Sequence, residues 1–128
     1  MMSLDVIDRM TTLATVPPFD RLSGRELLLV AEQIRPRNFE PDAMLIERGQ
    51  VADMLYVVAG GSAVADGADA PLLFDVPSLL FTLPADREYR AGGGGLRALC
   101  LAKPHLFTIA RECPEFIAAL VDLRAIAQ

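Results

Sequence analysis

Tryptophan is absent from this 128-residue chain, histidine occurs once and cysteine twice. The lone His105 excludes the two- or three-imidazole sites with which small β-barrels hold catalytic metals, and no nucleophile is arranged beside it. It reads as a surface or partly packed residue, and the chain as no enzyme. Cys100 and Cys113 are too few to staple a domain of this size and are not in a C-x-x-C spacing, so reduced, buried thiols are expected. Positive charge is short as well: 12 Lys and Arg against 17 Asp and Glu leave −5. That balance works against attraction to a phosphate backbone, and no nucleic acid is expected as a partner through this chain alone. No window approaches the ~20 uninterrupted apolar residues of a membrane helix, and the N-terminus has no basic region followed by an apolar run. No membrane partner is expected, and the chain reads as soluble and cytoplasmic.

What is present is apolar sequence, 52% of the chain, enough for one domain spanning residues 1–128. Its period changes twice. Val6, Met10 and Leu13 recur at helical spacing after Ser3, a candidate N-cap, and Pro17-Pro18 cannot continue that helix. A second helix is predicted from Ser23, with Glu26 three positions on completing a capping box, a stripe of Leu27, Val30, Ala31 and Ile34, and a stop at Arg35-Pro36. The helices therefore occupy 3–35. Pro104 and Pro114 open two more within 104–128, the last carrying Phe116, Leu120 and Leu123. Glu112 and Glu115 there read as solvated helix-terminal charges rather than a catalytic pair.

Between them, over 37–101, the period drops to about two. Strands are predicted at 37–40, 44–47, 53–58, 62–66, 72–74, 87–91 and 96–101. Gly49 and Gly61 are expected at chain reversals with positive φ, Asp66-Gly67-Ala68-Asp69 as a hairpin turn, and Pro77 to Phe81 as a single helical turn. Gly92 to Gly95 has neither the Gly-Lys-Ser/Thr of a P-loop nor the spaced glycines of a dinucleotide fingerprint, and is expected to be a flexible connector. The fold class is mostly β with flanking helices, a jelly-roll β-barrel (double-stranded β-helix) with N- and C-terminal helices packed on it.

The order of Val16-Pro17-Pro18-Phe19, Leu22-Ser23, Glu26-Leu27, Ile34-Arg35-Pro36-Arg37-Asn38-Phe39, Leu45-Ile46, Gly49, Leu55-Tyr56-Val57-Val58, Gly61 and Pro114-Glu115 resembles the cyclic-nucleotide-binding domain family, over almost the full chain. The resemblance implies a regulatory, signal-transducing module whose phosphate-binding cassette joins a short helical turn, a Gly-Glu pair for the ribose and a downstream arginine. A helix N-terminus with a guanidinium makes a strong anion site. Here the cassette falls on Phe74 to Leu80, and its candidate ligand-binding residues are Asp75, Val76, Pro77, Ser78, Leu79, Arg87 and Arg90. Ser78-Leu79-Leu80 fits the family pattern. Val76 and Pro77 stand where its glycine and glutamate belong, so close backbone approach, one amide donor and the ribose carboxylate are lost, with Asp75 a shifted substitute. Arg87 has nearly the expected spacing, whereas Arg90-Ala91 has the better local pattern. Gly92 to Gly95 falls where the family packs a valine or alanine.

The expectation is a regulatory module for a small-molecule anion, with a cyclic nucleotide as one candidate but not bound in the usual way, and with no cofactor. Two alternatives stand beside it: a ligand-free interaction module, homodimeric through the C-terminal helix, and the effector-domain fragment of a larger regulator, since Gln128 comes too early for a helix-turn-helix.

Overall fold

Cap chemistry and proline placement position the helices. The computed structural model describes residues 4–16, 19–71, 74 and 76–126, with only the backbone at 4, 76, 77 and 121–126. The expected cap Ser3 and the Pro17-Pro18 break lie outside the described residues. The first helix, α1, spans Leu4–Leu13 and turns Leu13 fully inward, with Val6 and Met10 half-buried. After a 3-10 turn at Phe19–Arg21, α2 runs Gly24–Gln33. Its capping box is formed: Ser23 Oγ accepts the Glu26 N–H at 3.2 Å, and the Ser23 N–H donates to Glu26 Oε1 at 2.9 Å. Leu27, Val30, Ala31 and Ile34 are all buried, as the stripe requires. Arg9 Nε ties α1 to α2 by donating to the Ala31 carbonyl at 2.8 Å.

The chain divides into two compact units, a helical one of Met1–Arg35 with Leu101–Gln128 and a β-unit of Pro36–Cys100. The strands are β1 (Arg35–Phe39), β2 (Met44–Ile46), β3 (Met54–Ala65) and β4 (Ala68–Asp69). After a short helix, α3 (Val76–Phe81), comes β5 (Tyr89–Ala102). They form one five-stranded sheet in the order β1-β5-β3-β4, with β2 also antiparallel to β5. Among the described residues this pairing is an open path; the sheet does not close into a ring. Two helices complete the chain, α4 (Lys103–Glu112) and α5 (Pro114–Ile126).

Several expectations are corrected. Strands 53–58 and 62–66 are one strand, β3, because Gly61 (φ +70°) takes its positive φ inside the strand instead of reversing it. Glycine inside a strand marks such a bend or a close approach of a neighbouring backbone. Gly92 to Gly95 is no connector: β5 runs through it, joining the predicted 87–91 and 96–101 into one strand. The physical reason is crowding, since a Cβ on Gly92 would lie 2.1 Å from Ser62 Oγ and one on Gly95 3.2 Å from the Phe39 carbonyl. Strand β1 starts two residues earlier than predicted. Of the strand at 72–74, Leu72 and Leu73 lie outside the described residues, and Phe74 is not in a strand. The turn at Gly49 stands as expected, and the hairpin expected over 66–69 is present but tighter, since Ala68 and Asp69 already form β4. Gly49 (φ +88°) sits in a turn closed by the Gln50 N–H on the Glu47 carbonyl, and Asp66 (φ +48°) and Gly67 (φ +85°) form the two-residue β3–β4 hairpin with Ala65 opposite Ala68.

Each unit has its own buried set. In the helical unit Phe19 and Phe116 are fully buried, with ring centroids 5.6 Å apart, and Leu106, Ile109 and Leu120 are buried as well. Phe116 and Leu120 are therefore core within this chain, while the Leu123 side chain lies outside the described residues. In the β-unit, Leu55 to Val58 are buried at four successive positions, so that stretch of β3 is covered on both faces. Cys100 and Cys113 are free and buried, and burial pushes the Cys100 thiol up to about 11. His105, Glu112 and Glu115 are exposed.

Candidate ligand site

Helix α3 carries the middle of the predicted cassette. Ser78 is 1% exposed, and its Oγ accepts the buried Ala52 N–H at 2.8 Å. The hydroxyl thereby anchors α3 to the loop before β3, where Val51 bridges Pro84 and the Ala85 N–H donates to the Gln50 carbonyl. Leu79 is fully packed in the core of the β-unit. Val76 and Pro77 begin α3, their side chains outside the described residues, and Asp75 lies outside them altogether.

Next to α3 the interior is aromatic. Phe74, 4% exposed, lies nearly parallel to Tyr56 at 5.6 Å and 6°, and to Tyr89 at 4.7 Å and 13°. Phe39 meets Tyr56 edge-on at 6.1 Å, with the Arg37 guanidinium 5.2 Å from the Phe39 ring centre. Offset-parallel and edge-to-face arrangements are the favourable ones for rings whose faces and edges carry opposite partial charge. Burial raises the Tyr56 phenol above its ordinary range.

The two candidate arginines are not brought together. Arg87 is exposed on the bend before β5. Arg90 lies on β5, opposite Met44 of β2, and its guanidinium is enclosed by acceptors: Nε donates to Glu88 Oε2 at 2.9 Å, Nη2 to Glu88 Oε1 at 3.4 Å, and Nη1 to the Asp42 carbonyl at 3.1 Å. The Glu88 hydrogen bonds hold Arg90 all the more firmly protonated. A cleft of about 230 Å³ is lined by Arg90 with Asp42, Val64, Asp66, Gly67 and Glu88.

Sequence reasoning missed the centre of this cluster, Asp66. Its Oδ1 accepts the Glu88 N–H at 3.0 Å and its Oδ2 accepts Arg48 Nη2 at 2.6 Å, while Arg48 Nη1 donates to the Asp86 carbonyl. The Glu88 N–H first, then Arg48, hold the Asp66 carboxyl below its usual range. The Glu88/Arg90 pair was legible in principle, because both fall in the predicted strand 87–91, and residues two apart on a strand share a face. Arg48, after β2, and Asp66, in the β3–β4 turn, meet across 18 positions through the tertiary fold. A second, wider cleft of about 500 Å³ opens between Asn38 to Pro41, Gly60-Gly61 and Gly94 to Arg97. Among the described residues no three His, Cys, Asp or Glu side chains gather as a metal site, and no helix is long and apolar enough to cross a membrane.

No family model and no curated protein matches the sequence. Solved structures do. The catabolite activator protein of Thermus thermophilus superposes with a TM-score of 0.74 at 22% identity, over 88% of this chain and 58% of that one. The regulatory domain of Toxoplasma gondii PKA, crystallised with cAMP, gives 0.74 at 20% identity, over 96% of this chain and 49% of that one. The chain thus spans about half to three fifths of the length of these neighbours. At this level of identity it is the fold that is shared, and the fold is the one that the sequence resemblance implied.

Proposed function

We propose that this chain is a cytoplasmic, non-enzymatic regulatory module for a small anion, acting in signal transduction, in which cAMP and cGMP are not bound in the usual way. The likeness to a PKA regulatory domain that holds cAMP supports the regulatory half of this reading. The observation that carries the other half is the state of Arg90. Its guanidinium is already engaged by both oxygens of Glu88 and by the Asp42 carbonyl, in a cleft that also presents Asp66. A phosphate arriving there would have to displace a carboxylate that already satisfies the fork, against the repulsion of neighbouring acids. Val76 and Pro77 supply no carboxylate for a ribose hydroxyl, and Ser78 is committed to Ala52. Arg87, exposed on its bend, is the residue we assign to an anion outside the usual geometry. Regulation then consists of a ligand favouring one of two arrangements of the module. Calorimetric titration of the full chain with cAMP and cGMP should give no binding in the micromolar range; a micromolar Kd for either would overturn the reading.

A second reading, an interaction module, is favoured by Val51, Phe81 and Leu83, large apolar side chains that are 36%, 46% and 46% exposed around the Val51–Pro84 bridge. It predicts a stable oligomer by size exclusion that Phe81→Ser dissociates. A monomer at all concentrations would reject it.

A further inference from the structure

The wider cleft of the β-unit, about 500 Å³, is lined by glycine backbone from β3 at Gly60 and Gly61 and from β5 at Gly94 and Gly95. Its polar residues come from the β1 end and from β5, which are neighbours in the sheet. Phe39 meets Tyr56, while Asn38 and Glu40 on either side of it are exposed, as the alternation of a strand requires. Leu96 is buried and Arg97 after it is exposed for the same reason. A Cβ on Gly60 would lie 3.7 Å from that of Arg97, so the bare backbone of β3 runs beside the Arg97 stem on one face. Among the described residues the Arg97 guanidinium, the Glu40 carboxylate and the Asn38 amide have no ion pair or side-chain hydrogen bond, with one another or with any other group. The Arg90 cleft is the reverse, its guanidinium already engaged. Packing does not account for Gly94 either. Gly92 and Gly95 are crowded by Ser62 and the Phe39 carbonyl, whereas a Cβ on Gly94 would meet nothing within 4 Å, and its φ is not left-handed. Glycine weakens a strand, and what it secures at position 94 is the depth of the cleft.

We infer that this cleft binds a small zwitterion, a free amino acid or a short peptide, with its carboxylate on Arg97, its ammonium on Glu40 and its main chain along the glycine floor. Two opposite charges that share a cleft without pairing are complementary to one molecule that carries both. A simple anion would meet the repulsion of Glu40, and a simple cation that of Arg97. The guanidinium fork matches a carboxylate in a bidentate fashion, and the Asn38 amide offers a donor and an acceptor to a peptide group. A floor without side chains lets the ligand's main chain approach that of the strands. The volume lies within the range of about 300–1,000 Å³ usual for small-molecule sites. This site goes beyond the proposed function and shares no lining residue with the Arg90 cleft, so the cAMP titration and the one below fail independently.

The test is titration of the isotope-labelled full chain with glycine and with triglycine, followed through the amide resonances. At least one of the two should shift the amides of Gly60, Gly61, Gly94 and Gly95 saturably, with a Kd at or below about 1 mM, and leave that of Asp66 in place. Binding of glycine alone marks a free amino acid as the ligand, and binding of triglycine alone marks a peptide. The N-acetylated and the C-amidated forms of the probe that binds each lack one charge and should bind at least about tenfold more weakly. In Arg97→Gln the acid and its amide should bind alike, and in Glu40→Gln the amine and its acetylated form should do so. Gly94→Leu should abolish binding without lowering Tm, because its side chain enters the cleft and meets no other group. Gly93→Ala, equally unobstructed but away from the cleft, should bind as the wild type does. No saturable shift with either probe, shifts confined to other residues, or full binding of the charge-blocked forms would overturn the inference. So would undiminished binding by a folded Gly94→Leu variant. Arg97 and Glu40 are exposed, so their variants decide the matter if Gly94→Leu does not fold.

Discussion

At the scale of single residues, the glycines of β5 and β3 separate into those the fold needs and those it does not. Gly61 combines φ +70° with a backbone neighbour, the Gly95 carbonyl oxygen, 2.3 Å from where a Cβ would stand. Neither can yield cheaply, since the obstacle is main chain in a paired strand. Gly61→Ala should therefore cost at least about 2 kcal/mol, from left-handed backbone strain plus overlap. Gly93, one strand away, has nothing within 4 Å of that position and no left-handed φ. Gly93→Ala should instead stabilise by about 0.4–1 kcal/mol by restricting the unfolded chain. Urea midpoints of the two variants, measured against wild type, should move in opposite directions; a shift of both the same way would reject this account. The single histidine and the two cysteines gave correct expectations of exposure and burial because their chemistry asks for little from the fold. Arg87 and Arg90 are told apart by context alone: similar side chains a few residues apart, one exposed and one clasped by Glu88.

Among the elements, α2 was legible to its first residue. The capping box satisfies two backbone donors using residues three apart, so its formation needs no distant partner. Ser23→Ala should destabilise the protein by about 1 kcal/mol and Ser23→Gly by only a few tenths, read from thermal or urea unfolding. Equal losses would mean that Ser23 acts through something other than its hydroxyl and its conformation at the cap. The β3–β4 hairpin was legible for the same reason, since Asp66-Gly67 places two residues that tolerate positive φ at the two central positions. Strands β3 and β5 each look like two in the sequence. Gly60-Gly61 and Gly92 to Gly95 look like breaks to any local reading, because glycine is a poor strand former. In the sheet Gly61, Gly92 and Gly95 are places where a neighbour approaches too closely for a side chain.

For the whole molecule, the titrating groups with shifted affinities bound a window of pH stability. Asp66 and Glu26 are held below their ordinary values of 3.8 and 4.5, Asp66 first by the Glu88 N–H and Glu26 first by the Ser23 N–H. A carboxyl depressed on folding stabilises the native state above its unfolded value and loses that contribution as pH falls through the folded one. Cys100 runs the other way: burial raises it from 9.0 to about 11, so its contribution is complete below pH 9 and fades as pH rises towards 11. Tyr56, raised above 10.0 by burial, adds to the same alkaline limb. Stability measured from pH 3 to 11 should therefore be flat through neutrality and fall on both sides. Cys100→Ala should reduce the slope between pH 9 and 11 without altering the acid limb; an unchanged alkaline slope would show that the thiol is not shielded in solution as it is in the structure.

What could be read along the chain is what depends on neighbours within a few positions. The α1 stripe, the α2 capping box, the Asp-Gly hairpin, the prolines that open α4 and α5, and the resemblance carried by their order all belong to this class, because helices and tight turns form their hydrogen bonds within about four residues. The candidate site belongs to the other class. Asp66 meets Arg48 and Glu88 from 18 and 22 positions away, and Phe74 meets Tyr56 and Tyr89 from 18 and 15. Those meetings join loop and turn residues to one another or to strands, and are set by how the sheet brings its strand ends and loops together, which no local window contains. The sequence could say that a carboxylate at 76 or 77 is missing; only the tertiary structure says that Arg90 is engaged by Glu88 and that Phe74 stacks on both tyrosines.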